Sequence, residues 1–170
     1  MLLAVLVCGC STDFVPPGTT APCNGSYTDV DFGINFAPPS GLDGPQVQDS
    51  GAFRLVAWGP PETATSAIVA SLSYSILPLE VDVNSAVESV LAIQREVLVE
   101  EAGQTLLTDE PTTLAGGNRA HVLTGASADG LSASVVVVAA GTERFALVIL
   151  FGADSALETM LTSALSVCVE

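Results

Sequence analysis

The chain contains no lysine. Its basic side chains are Arg54, Arg95, Arg119 and Arg144, set against 19 acids in 170 residues, for a formal net charge of −15. Phosphate backbones are gripped by clustered Lys and Arg, so this balance argues against nucleic acid as a partner. Electrostatic adhesion to anionic lipid headgroups is excluded on the same ground. Histidine is almost as scarce, with His121 alone. A histidine-based triad has one possible base, and a zinc site one possible imidazole. Aromatic residues make up 5% of the chain. No apolar run approaches the ~20 residues that a membrane-spanning helix needs.

What is present suits one folded domain. Hydrophobic residues are 49% of the chain and mean hydropathy is +0.55. A domain of this size buries about two thirds of its unfolded surface, so neither a metal nor many disulfides are required. The acidity itself reads first as a solubility device.

The opening MLLAVLVCGCSTDF places six aliphatic residues, Leu2 to Val7, before small residues and a Ser-Thr-Asp stretch. A short apolar core ending in small residues has the shape of an export signal. The stretch Val7-Cys8-Gly9-Cys10 resembles the lipobox of bacterial lipoproteins, with Gly9 before the cysteine that would be acylated, Cys10. The resemblance implies a signal peptide over 1–9, a fatty-acyl (palmitate-type) anchor on Cys10 and a location outside the cytoplasm. Ser11 resembles the outer-membrane sorting pattern where two membranes exist. A buried N-terminal strand and a C-x-C metal fragment are the competing readings. Under the lipoprotein reading two thiols remain, Cys23 and Cys168, in a compartment where disulfides persist. They are expected to pair; the alternative is a free Cys168 packed as a small hydrophobe on the apolar face of its helix.

Residues 10–29 read as a lipidated start and a Pro-, Gly-, Ser- and Thr-rich linker, and 30–170 as a single domain. Val30, Phe32, Ile34 and Phe36 alternate with polar or small residues, a strand stopped by Pro38-Pro39. Ala52 to Trp58 predicts a second, with Phe53, Leu55 and Ala57 on one side, and AIVASLSYSI a third with a solvated serine face. The period changes at Asn84: Val87, Val90, Leu91 and Leu98, with Ile93 and Val97 alongside, mark a helix of about five turns, capped by Ser85 and Glu88 and ended near Gly103. Three strands follow. Thr112 to Ala126 is broken at Gly116-Gly117, Asp129-Gly130 turns into LSASVVVVAA, and Gly141 turns into RFALVILF, whose near-continuous apolarity predicts a central strand. Ser155 and Glu158 cap a last helix carrying Leu157, Leu161, Ala164, Leu165 and Cys168. Strands, helix, strands, helix, without βαβ alternation, predict an α+β fold with a mainly antiparallel sheet flanked by helices.

Three stretches carry a further resemblance. FGINFAPPSG, TTLAGGNRAHVL and RFALVILFGADSALETMLTSALSV resemble the opening strand and turn, the mid-chain strand, and the closing strand and helix of the PsbP/Mog-like family, over roughly residues 30–168. Leu42 stands where such lipoproteins often carry tryptophan. The resemblance implies an α/β/α sandwich and accessory, adaptor or binding roles without catalysis. The expectation is therefore a membrane-anchored, non-catalytic envelope module needing no cofactor. Its partner would be another envelope protein or a small apolar ligand; Trp58, Tyr74 and Phe53 are candidates for the contact surface, with core packing the favoured role for most of them. The rival class is an envelope hydrolase or a calcium-dependent module. Its oxygen ligands would be Glu80, Asp82 and Asn84, which project alike from an extended segment, although calcium takes six or more. His121 reads as a surface or cap residue. The Gly125–Asp129 stretch, with Ser127, lacks the second glycine of a nucleophile elbow.

Overall fold

The computed structural model describes residue 23 and residues 25–61, 67–78 and 80–170. The expected signal peptide, Cys10 and most of the expected linker lie outside these. Twelve regular elements follow: β1 (Tyr27–Asp29), β2 (Ile34–Phe36), β3 (Asp43–Asp49), β4 (Phe53–Gly59), β5 (Val69–Ile76), α1 (Val83–Glu96), β6 (Thr105–Thr113), β7 (Arg119–Ala126), β8 (Leu131–Ala140), β9 (Arg144–Ala153), α2 (Leu157–Ala164) and β10 (Cys168–Val169). Seven strands form one antiparallel sheet in the order β3-β4-β5-β9-β8-β7-β6, and β1-β2-β10 form a second, small one.

β9 lies in the middle of the large sheet, as its apolar run predicts. Its neighbour β8 buries Val135, Val136, Val137 and Val138 completely, each worth about 1.5–3 kcal/mol of transfer free energy. Because side chains alternate across a strand, the two faces own different cores. Val136 and Val138 join Met160 and Ala164 of α2, together with Ile34, Phe36 and Val169 of the small sheet. Val135 and Val137 join Leu91 of α1 and Leu98 beyond it.

Several sequence expectations are corrected. The linker ends before residue 29, since Tyr27–Asp29 pairs with β2. Val30 leaves the opening strand for a turn and is 86% exposed. In β4 the enclosed side is that of Val56 and Trp58, not of Phe53, because the closed core lies on that side. Asp82, not Ser85, caps α1: its carboxylate accepts from the Ser85 amide at 3.1 Å and hydroxyl at 3.0 Å. After Glu96 the helix widens into a π-helical turn, Val97–Glu101, and stops before Gly103 at φ +61°. No side chain caps α2, which follows a 3₁₀ turn. Cys168 has left that helix and sits in β10.

Candidate functional site

The closed face contains a buried charge. Asp29 accepts from the amides of Asp31 (3.1 Å) and Phe32 (3.4 Å), from the Tyr74 hydroxyl and from Arg54 Nη1. Arg54 also donates to Asp49 through Nε at 2.9 Å and through Nη2, and its guanidinium carbon stands 4.8 Å from the Phe32 ring centroid. The Tyr27 and Tyr74 hydroxyls lie 2.8 Å apart, so protons run in series from Tyr27 to Tyr74 to the carboxylate.

A buried ion costs several kcal/mol unless its lone pairs are filled, and here they are. Burial pushes the Asp29 pKa up, but the hydrogen bonds from Tyr74, Arg54 and Phe32 outweigh it and hold the group below the usual carboxylate range. Tyr74 is pushed up, by burial first and then by its bonds to Asp29 and Tyr27. Arg54 is raised by the two carboxylates.

This network fixes Tyr27, and Tyr27 forms one wall of a groove. Its ring meets Trp58 edge-on, with centroids 5.3 Å apart, and Trp58 in turn leans on Phe36 at 5.3 Å. Tyr27 and Trp58, with Pro38, Pro39, Leu42 and Pro45 and the polar Ser26, Thr28 and Ser40, line a depression of about 570 Å³ with no charged residue among its described lining, within the usual size of ligand clefts. The sequence builds it locally. Pro38-Pro39 cannot extend the β2 ladder. The Ser166 hydroxyl donates elsewhere but accepts from the Ala37 amide at 2.9 Å, and the Ser163 hydroxyl donates to the Ala37 carbonyl at 2.5 Å. Gly44 must be glycine, since a Cβ there would stand 2.6 Å from Trp58 Cδ1. The one ionisable residue of the described lining, Tyr27, turns its hydroxyl into the Tyr74 bond.

The predicted residues are distributed as follows. Trp58 lines the groove at 4% exposure, Tyr74 is buried beneath it, and Phe53 emerges on the opposite face of the sheet. The three do not form one surface. Cys23 and Cys168 are joined in a disulfide, with Cα atoms 5.9 Å apart, packed over Gly116. Asp82 and Asn84 meet at 3.4 Å, but Asp82 is engaged as the α1 cap and Asn84 accepts from Arg119. Glu80 is exposed, and among the described residues no three His, Cys, Asp or Glu side chains converge as metal ligands. His121 Nε2 lies 2.7 Å from Asp109, which Arg95 grips at 2.7 and 2.8 Å. That grip, with the histidine, draws the Asp109 pKa down to about 2. Ser127 is engaged in its own turn with Asp129 and the Leu131 carbonyl. Sequence reasoning missed Asp29, Arg54 and Tyr27, because nothing in a Ser/Thr-rich stretch signals a partner 25 residues away.

No family model matches the sequence, and no curated protein matches it. Among solved structures, the chain is similar to the solution structure of cyanobacterial PsbP (CyanoP) from Synechocystis sp. PCC 6803. The TM-score is 0.59 at 15% identity, over 90% of this chain and 100% of that one. The fold is PsbP-like: α+β, mostly antiparallel sheet with two helices. Such a likeness speaks for the fold alone. No helix among the described residues is long and apolar enough to cross a membrane.

Proposed function

We propose that the protein is a lipid-anchored, extracytoplasmic module that binds without catalysing, and that its groove beside Tyr27 and Trp58 holds a small apolar ligand. The supporting observation is the groove itself: in a chain of net charge −15, its described lining sets Tyr27, Trp58, prolines and Leu42 beside the neutral polar Ser26, Thr28 and Ser40 and carries no charge. Its aromatic edges suit an uncharged guest, and an ionic one would have to shed its water without an ion partner. In this reading the two helices and the sheet between them form the α/β/α sandwich of PsbP/Mog-like proteins. Cys10 carries the acyl anchor, and the disulfide fits an oxidising compartment.

Trp58 is the only tryptophan, so its emission reports on the groove directly. Adding a neutral apolar probe should shift that emission, and organic extraction of the protein purified from its host should yield a bound lipid-like compound. A clean extract together with unchanged emission would sink the ligand reading. Cys10→Ala should release the chain from the membrane fraction, whereas unchanged partitioning would refute the anchor. Calcium should leave the melting temperature unmoved, since a ligand preferring the native state must raise it; a clear rise would favour the calcium-dependent alternative at Glu80 and Asp82.

A further inference from the structure

We propose that the ligand of this groove carries an uncharged primary carboxamide or lactam, which pairs with the backbone N–H and C=O of Thr28. The proposal rests on the ligand reading above and names the chemical class of the guest. Its ground is the hydrogen-bond parity of the small sheet, whose terminal strands are β1 and β10. The Glu170 amide donates to the Gly33 carbonyl at 2.8 Å, so Gly33 and Glu170 form a hydrogen-bonded pair. In an antiparallel ladder such pairs alternate with pairs that exchange no bond. Ile34 stands opposite Val169 and Asn35 opposite Cys168. Asn35 therefore bonds toward β10, while Ile34 and Phe36 bond toward β1. On β1 their partners are Asp29 and Tyr27, and Thr28 stands opposite Asn35. The Thr28 N–H and C=O are thus turned away from β2, onto the open edge.

The other edge of the same sheet shows what such a residue takes. Val169 is also turned outward, and it is met by the carboxamide of Asn118. Asn118 Oδ1 accepts from the Val169 amide at 3.1 Å, and Nδ2 donates to the Val169 carbonyl at 3.0 Å. One side-chain amide fills one outward residue. On the β1 edge, no described residue takes the equivalent place beside Thr28.

What lies along that edge is the groove. Ser26, Tyr27 and Thr28 line it from β1, and Gly44, Pro45 and Trp58 line it from the large sheet. The Thr28 hydroxyl accepts from Asn35 Nδ2 at 3.1 Å, on the face that these two cross-strand partners share. That bond holds the side chain over β2 and off the edge. A guest seated at Thr28 has the aromatic surface of Tyr27 and Trp58 for its apolar body. The polar end must then both accept and donate on one side. A carboxylate sets an oxygen against the Thr28 carbonyl and finds no cation in the described lining. An ester lacks the donor. A trans secondary amide points its N–H and C=O in opposite directions. A primary carboxamide or a lactam matches both, as Asn118 does.

The test uses the full chain carrying Cys8→Ala and Cys10→Ala, isotopically labelled for amide spectra, with hexanamide as the probe. Trp58 emission gives the affinity, and the amide spectrum gives the location. Hexanamide should shift the Thr28 amide proton downfield and leave that of Val169, already bonded, in place. It should bind at least about threefold more tightly than methyl pentanoate or N-methylpentanamide, each of which forfeits one hydrogen bond. Hexanoate should bind more than about tenfold more weakly than hexanamide, since its charge is left without a partner. Thr28→Pro, a change that an edge strand tolerates where the N–H faces outward, should reduce hexanamide to the level of the ester; circular dichroism verifies that the variant folds. Equal affinities for hexanamide and the ester overturn the proposal and leave the apolar-ligand reading standing. An unmoved Thr28 amide with bound hexanamide overturns it too, by placing the amide elsewhere. Emission that no probe moves overturns the ligand reading itself, and this proposal with it.

Discussion

The two faces of the large sheet treat charge in opposite ways. The face closed by α2 and the small sheet encloses an ionised carboxylate, Asp29, with Arg54, Tyr74 and two amides around it. The half-open face beside α1 exposes phenylalanine, valine and serine and holds almost no charge. A covered face can keep an ion because it can also supply every partner at fixed positions. An uncovered one remains apolar only where something else shields it or where a few exposed side chains cost little. The difference separates a surface completed within the chain from one that is not.

The contrast can be broken or sharpened in a graded series. Replacing both Cys23 and Cys168 by serine should loosen the closed face most. A loop of 145 residues sets a stabilisation near 5 kcal/mol in the chain-entropy model, usually less in practice, to be measured by urea unfolding. Next comes Asp29→Asn, expected to destabilise the fold by replacing the ionised acceptor shared by Tyr74, Arg54 and two amides, while Arg54 keeps its bonds to Asp49. The same variant has a pH signature. Asp29 has a folded pKa below its unfolded value, so its contribution is present above the ordinary carboxylate range and fades as the pH falls through the lowered value. The parent chain should lose stability more steeply in acid than Asp29→Asn, and parallel acid titrations of the two would contradict the role given to the ion. Gly117→Val is smaller, about 1–2 kcal/mol, since Gly117 turns the chain at φ +81° with open space around it. Ser73→Thr on the half-open face should change the melting curve of a dilute sample by no more than about 0.5 kcal/mol. A large loss there would mean that the face is completed within the chain after all.

Much of the closed face was legible in the sequence and little of its polar centre was. Alternation in AIVASLSYSI gave the right side to Ala70, Leu72 and Tyr74, and the apolar run of RFALVILF marked the middle strand. Asp129-Gly130 and Gly116-Gly117 both turn with a glycine at positive φ, as their composition suggests. β3 escaped notice because DGPQVQD is exposed at every position and shows no apolar period. The cap of α1 was displaced by three residues, since Asp82 and Ser85 are both good caps and local sequence does not choose between them. The site was harder. Trp58 was visible as an aromatic in a strand, but Tyr27 and Asp29 lie in a stretch of linker-like composition that becomes ordered through tertiary pairing with β2 and β5.

Each of the four arginines is tied to a different part of the molecule. Arg54 joins the Asp29 network, Arg95 bridges α1 to β6, Arg119 meets the start of α1, and Arg144 reaches the carbonyls of Phe32 and Glu170. With lysine absent, trypsin has only these four cleavage points. The order in which they are cut under native conditions would therefore time the opening of four separate joints, in a chain that supplies its own sparse set of probes.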